Sequence, residues 1–161
     1  MMSDFQWDLP EPYVHRIKVV PADIDDFGHA NNARYLEWAD AAAWTHWASK
    51  GFSREACEAD DRGIAIIRTE ADYLGQVKAG DELQCAVWIT QSNQRLRAER
   101  RYQFVRASDG VTVFRALTKV VCFQLSTGKP ARMTQIFKAH YAVLPSVAAA
   151  LAAGDETPPR A

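Results

Sequence analysis

The chain has 161 residues, which fits one domain with room for a core of its own. Its net charge of −1 lacks the basic excess of a nucleic-acid binder. The opening MMSDFQWDLPEP has neither the basic n-region nor the apolar h-region of a secretory signal, and no run approaches the ~18 apolar residues of a membrane span. Cys57, Cys85 and Cys122 are odd in number and lack CxxC spacing, so they read as small apolar core residues of a reducing compartment. Together these features predict a cytoplasmic protein without nucleic-acid or membrane partners.

Residues 1–12 are polar, contain Pro10 and Pro12, and read as an extended arm. In YVHRIKVV, residues 13–20, Tyr13, His15, Ile17 and Val19 share one face, while Arg16 and Lys18 share the other; this predicts a strand with one dry face, ended by Pro21. PADIDDFGHAN, residues 21–31, is a loop by composition. Residues 32–50 predict the one long helix. It is rich in alanine and free of Gly and Pro, with Asn31 as N-cap and Gly51 beyond its end. Leu36, Ala39, Ala43 and Trp47 line one side, with Tyr35, Ala42 and His46 beside them, and the alanines let its axis approach a sheet closely.

After an irregular segment, strands are predicted over 63–74, 82–91, 95–106 and 111–125, separated by KAGD, QSNQ and ASDG. Short connections predict antiparallel pairing of neighbours. STGKP at 126–130 is a stop, and Ile136, Phe137, His140 and Tyr141 suggest a short amphipathic helix within 134–144. Residues 146–161 read as an Ala-rich, disordered tail, leaving 13–145 as the domain. One strand, one long helix and four further strands give an α+β fold, with a single helix wrapped by a curved antiparallel sheet of about five strands.

The loop and the helix start carry the chemistry. PADIDDFGHANNARYLEW holds Asp23 and Asp25 one residue apart, then Gly28-His29, then Asn31-Asn32, then Tyr35 in the second helical turn. This pattern resembles the signature of the hotdog acyl-CoA thioesterases related to 4-hydroxybenzoyl-CoA thioesterase. EADYLGQVKAGDEL resembles that family's strand-turn-strand segment ending in Gly-Asp, here Gly80-Asp81. A proline common four residues before that glycine is replaced by Gln76. The resemblance covers about residues 13–125. It implies a hotdog fold, an acyl-CoA substrate, no cofactor or metal, and a homodimer or homotetramer with sites at subunit interfaces. It also implies Asp25 as the catalytic carboxylate and the backbone N–H of Asn32 as oxyanion donor.

The chemistry is coherent on its own terms. A thiol has a pKa of about 8.5, so a thioester loses its leaving group without full protonation. Hydrolysis then needs a carboxylate to attack or to activate water, and a donor for the developing oxyanion. A helix N-terminus offers unpaired N–H groups and partial positive charge. Among the neighbours, Asp23 reads as structural, Asp26 as solvated and Gly28 as a tight turn. His29 either orients Asp25 or the substrate, or only packs and hydrogen-bonds. Asn31 reads first as a cap. Gly28, Asn31, Tyr35 and Thr69 are the candidate substrate contacts, with Tyr35 better suited to the core than to the pocket.

His15, His46 and His140 are scattered and read as structural or surface groups. Arg95, Arg97, Arg100, Arg101, Arg106 and Arg115 read as a solvated outer strand face, interleaved with Glu99; the other reading is that some of them, or Lys78, Lys129 and Arg132, meet the coenzyme A phosphates. Trp38, Trp44, Trp47 and Trp88 serve core or pocket wall alike. The competing functions are a metal-dependent phosphohydrolase built on Asp23, Asp25 and His29, and a non-catalytic acyl-ligand-binding hotdog protein; a dehydratase on the same fold is less favoured. The acyl group is not specified by the sequence.

Overall fold

The computed structural model describes residues 4–155. Strand β1 (Tyr13–Lys18) alternates half-buried and exposed residues, as its sequence predicts. Helix α1 (Asn32–Ser49) buries Tyr35, Trp38, Ala39, Ala42, Ala43, His46 and Trp47, an i, i+3, i+4, i+7 stripe. The aromatic rings of Tyr35 and Trp38 take the inner stripe, which turns Leu36 outward. Expected inside, Leu36 is 42% exposed and continues an outer row with Asp40 and Trp44.

The irregular segment contains α2 (Arg54–Asp60), with the Ser53 hydroxyl accepting from the Ala56 N–H. Strands β2 (Gly63–Tyr73), β3 (Glu82–Ser92), β4 (Arg97–Arg106) and β5 (Thr112–Phe123) follow, then α3 (Gln135–His140) and α4 (Pro145–Asp155).

The five strands form one open antiparallel sheet in the order β1-β3-β4-β5-β2, with β1 and β2 at its edges. Register shifts in β2, β3 and β5 help it curve. One expectation of neighbour pairing is corrected: β2 pairs with β5, not with β3. Residues 74–81 are therefore a crossover and not a hairpin turn. The N–H groups of Leu74 and Gly75 donate to the Val113 carbonyl, Val77 is fully buried, and the Gly80 N–H reaches the Val19 carbonyl at 2.9 Å. These bonds and the burial of Val77 tie the crossover to the sheet end at both of its extremities.

The inner face packs Leu83, Cys85, Val87, Tyr102, Phe104, Phe114 and Ala116 against α1. On the outer face, Ala86 and Trp88 are covered by Leu9 and Val147. The arm is therefore a packed element: the Trp88 indole N–H donates to the Pro10 carbonyl at 2.8 Å, and Arg115 pairs with Asp8 at 2.6 Å. The Ala-rich segment, read as a disordered tail, is helical through Asp155 because Val147, Ala150 and Leu151 have an apolar surface to cover. Residues 1–3 of the arm and 156–161 of the tail lie outside the described residues. No described helix is long and apolar enough to cross a membrane.

Candidate active site

The loop between β1 and α1 is closed by its own backbone. Ile24 and Ala30 form an antiparallel bridge, the Asp25 N–H donates to the His29 carbonyl at 2.8 Å, and the Gly28 N–H returns to the Asp25 carbonyl at 3.0 Å. Gly28 sits at φ +79°, a conformation that strains any L side chain. The Asp25 carboxylate is half-buried, and its Oδ1 accepts from the Phe27 N–H at 2.9 Å and, at longer range, from the His29 N–H at 3.4 Å. This Asx-type turn fixes where the carboxylate points.

Two anchors hold the loop against the rest of the fold. The Ala30 N–H donates to the Val77 carbonyl at 2.9 Å, tying the loop to the crossover. Asp23 is buried: its Oδ2 accepts from the Val20 N–H at 2.9 Å, its Oδ1 lies 3.4 Å from Arg34 Nε, and its carbonyl accepts from the Asn31 N–H. Asp23 thus joins the end of β1, the loop and the first turn of α1.

At that turn the Asn31 side chain caps the helix by accepting from the Ala33 N–H at 2.9 Å. The N–H of Asn32, the first helical residue, has no acceptor among the described residues. Asp25, Gly28, His29, Asn31 and Asn32 therefore share one loop–helix junction. Tyr35 lies inward, its ring 5.2 Å from those of Trp38 and Tyr73 and 5.1 Å from that of Phe114. The Tyr73 hydroxyl donates to the Asn32 carbonyl at 3.4 Å, which sets the end of β2 beside the helix start. Thr69 is exposed on β2, four residues before Tyr73 and opposite Thr118, apart from the junction itself.

The basic residues divide. Arg101, Arg106 and Arg115 are paired with Glu99, Asp109 and Asp8. Arg95, Arg97, Lys78, Lys129 and Arg132 are exposed. Arg100 does not belong to a solvated outer face: the strand's even positions face α1, and it is only 4% exposed. One Arg100 Nη donates to the Tyr141 hydroxyl at 2.9 Å, which also accepts from the Trp47 indole N–H at 3.0 Å.

His46 and His140 are likewise buried, with ring centroids 4.8 Å apart. Burial, reinforced by the nearby Arg100 charge, pushes His46 down to about 4. Burial and the neighbouring His46 push His140 down to about 3. The sequence reading of His46 and His140 as scattered structural or surface groups did not bring them together with Arg100. The signal that could have found it was the inward spacing of His46 on α1 and of His140 beside Phe137 and Tyr141. No group of three or more His, Cys, Asp or Glu among the described residues could hold a metal ion.

The family model described as the thioesterase-like superfamily matches residues 19–150. The chain belongs to the thioesterase-like superfamily. This superfamily member has the hotdog fold, seen again in solved structures. A 1,4-dihydroxy-2-naphthoyl-CoA thioesterase from Synechocystis superposes with a TM-score of 0.74 at 22% identity, over 81% of this chain and 96% of that one. A DHNA-CoA thioesterase from Staphylococcus aureus gives 0.72 at 18% identity, over 90% and 94%. A hypothetical Staphylococcus aureus protein in complex with CoA gives 0.73 at 17% identity, over 86% and 92%. No curated protein matches this superfamily member by sequence.

Proposed function

We propose that the chain hydrolyses acyl-coenzyme A thioesters at the β1–α1 junction. The observation that carries this reading is the pairing of a loop-held carboxylate, Asp25, with an unbonded N–H at the helix start, Asn32, in a thioesterase-like fold. Asp25 acts as nucleophile or as general base. The Asn32 N–H, at the positive end of the α1 dipole, takes the oxyanion that forms when the thioester carbonyl becomes tetrahedral. Coenzyme A then leaves as a thiolate. Gly28 lets the backbone approach the substrate, His29 orients the Asp25 turn through its own N–H and C=O, and Asn31 holds the helix end open. No metal or cofactor takes part.

The exposed edge of β2 supports a homodimer, or a dimer of dimers. Ile66 and Ile67 are 52% and 51% exposed on a strand whose outer hydrogen-bonding groups have no neighbour in the sheet. A second copy pairing edge to edge would cover them, with C2 symmetry the commonest arrangement. Thr69 on that edge would then face the shared site. The buried free thiols fit a reducing, cytoplasmic setting.

An acyl-CoA panel assayed by thiol release, with and without a chelator, tests the function. Hydrolysis of at least one acyl-CoA, insensitive to chelation, is expected. Binding of acyl-CoA without turnover would point to a ligand-binding module instead, and loss of activity with chelator would point to metal chemistry.

A further inference from the structure

The strongest unassigned feature is the buried Arg100. It is a permanent cation inside the protein, and no carboxylate of the described residues lies within 4.0 Å of it. Its Nε has no hydrogen-bond partner, nor has the buried hydroxyl of Thr118, its cross-strand neighbour. The groups packed around it are uncharged: the Tyr141 ring beneath the guanidinium, Tyr102, and the depressed His46 and His140. A buried charge without a counter-ion is unfavourable, so an anion supplied from outside would be held strongly there.

The space for it exists. A pocket of about 100 Å³ lies between Trp44 and Trp47 of α1 and Ile64 and Ile66 of β2, with Arg100 and Tyr141 at its buried end. At about 30 Å³ per water, it holds the volume of roughly three waters, suited to a carboxylate and the carbon before it. Asp40 lies at the exposed end and disfavours an anion that stays at the mouth. Thr69, Thr118 and Arg100 are paired in sequence across β2, β5 and β4, so a polar row leads inward from the open edge over about 10 Å. Ala43, which also lines the pocket, is eleven residues along α1 from Asn32, or about 16 Å. The pocket is thus displaced along the helix from the proposed oxyanion donor, on the side where β2 runs.

We infer that this pocket is the terminus of the acyl site and that Arg100 selects acyl groups carrying a carboxylate at the end remote from the thioester. The inference rests on the acyl-CoA thioesterase reading and names its substrate class: ω-carboxyacyl-CoA. Arg100 donates to the terminal carboxylate, Thr118 adds a hydroxyl, and Trp44 and Trp47 enclose the methylene chain. The neutral histidines keep the surroundings dry without adding competing charge.

The test is a chain-length series of ω-carboxyacyl-CoAs, each paired with the methyl-terminated acyl-CoA of equal carbon number. The readout is the ratio of kcat/KM within each pair. The parent is expected to favour the carboxylate at the optimal length by about ten- to a hundredfold, the worth of a hydrogen bond to a charged group. In R100M the ratio should fall to about one, and T118V should reduce it by a smaller factor. A parent ratio of one or less at every length would overturn the inference while leaving the thioesterase reading intact. If neither class is hydrolysed, the thioesterase reading fails, and calorimetry with the free dicarboxylates decides the subsite alone. Binding by the parent that is lost in T118V or R100M supports it, and no binding by the parent overturns it. Urea unfolding of each variant separates lost recognition from lost fold. If R100M does not fold, R100K takes its place and should keep part of the preference, since it retains charge without the guanidinium fork.

Discussion

His46 and His140 make the stability of this protein depend on pH in a defined direction. Both are neutral in the folded chain, with values lowered from 6.5 to about 4 and about 3, chiefly by burial. In the unfolded chain each takes up a proton as pH falls through about 6.5, while the folded chain does not. The unfolded state therefore binds more protons between pH 6.5 and the folded values, and stability must fall with pH across that window. At pH 5.5, one unit below the unfolded value, each histidine costs on the order of 1 kcal/mol relative to its neutral limit, so the pair costs roughly 2–3 kcal/mol. That is a large share of the ~5–15 kcal/mol by which a domain is stable. With a urea slope of about 1–3 kcal/mol/M, the unfolding midpoint should drop by roughly 1 M or more between pH 7.5 and 5.5. His140→Leu should halve the drop, and it should cost little at pH 7.5, because both ring nitrogens of His140 lack partners and their removal strands no other group. Equal midpoints at pH 7.5 and 5.5, or an undiminished drop in the Leu variant, would refute the reasoning.

Asp25→Asn should lower kcat by orders of magnitude with a modest change in acyl-CoA binding, because the carboxylate acts in the transition state; Asp26→Asn should do far less, and wild-type turnover in folded Asp25→Asn would end the catalytic reading. Asp23→Asn should cost stability first, since Asp23 ties β1, the loop and Arg34 together, and thermal unfolding reads this out. Asn32→Ala should retain much of the activity, whereas Asn32→Pro, which removes the donor at a position where a helix tolerates proline, should cost ~2.7–4 kcal/mol of transition-state stabilisation in kcat/KM. Ile66→Lys on the β2 edge should shift the assembly toward monomer by light scattering and depress activity with it.

The strands were legible because three of them carry turn residues between runs of alternating or continuous apolar character, and α1 because alanine, Asn31 and Gly51 agree about its extent. The pairing of β2 with β5 was not, since KAGD looks like any short turn; only the burial of Val77 and the bonds to Val19 and Val113 reveal a crossover. The site's backbone was visible as a motif, yet the anchor from Ala30 to Val77 joins distant parts of the sequence and leaves no local trace. Arg100 was misassigned for a related reason. In RLRAERRYQFVR the arginines are evenly polar to the eye, and which of Arg100 and Arg101 turns inward depends on register with β3 and β5.

The outer face of the sheet has a consequence for how the molecule assembles. Its cover is made from the two extremities of the described chain: the Ser146 hydroxyl donates to the Glu11 carboxylate across 135 residues, and Val147 and Leu9 meet over Trp88. A cover of that kind has no intermediate stage that depends on neighbours in sequence. The β3–β4 and β4–β5 hairpins can pair as they are made, but the arm, synthesised first, must wait for Trp88 of β3 and Arg115 of β5, and the cover over Trp88 is complete only once α4 exists. The convex side should be the last part to form and the first to open, so hydrogen exchange at α4 should outpace exchange at β4 while the inner core stays shut.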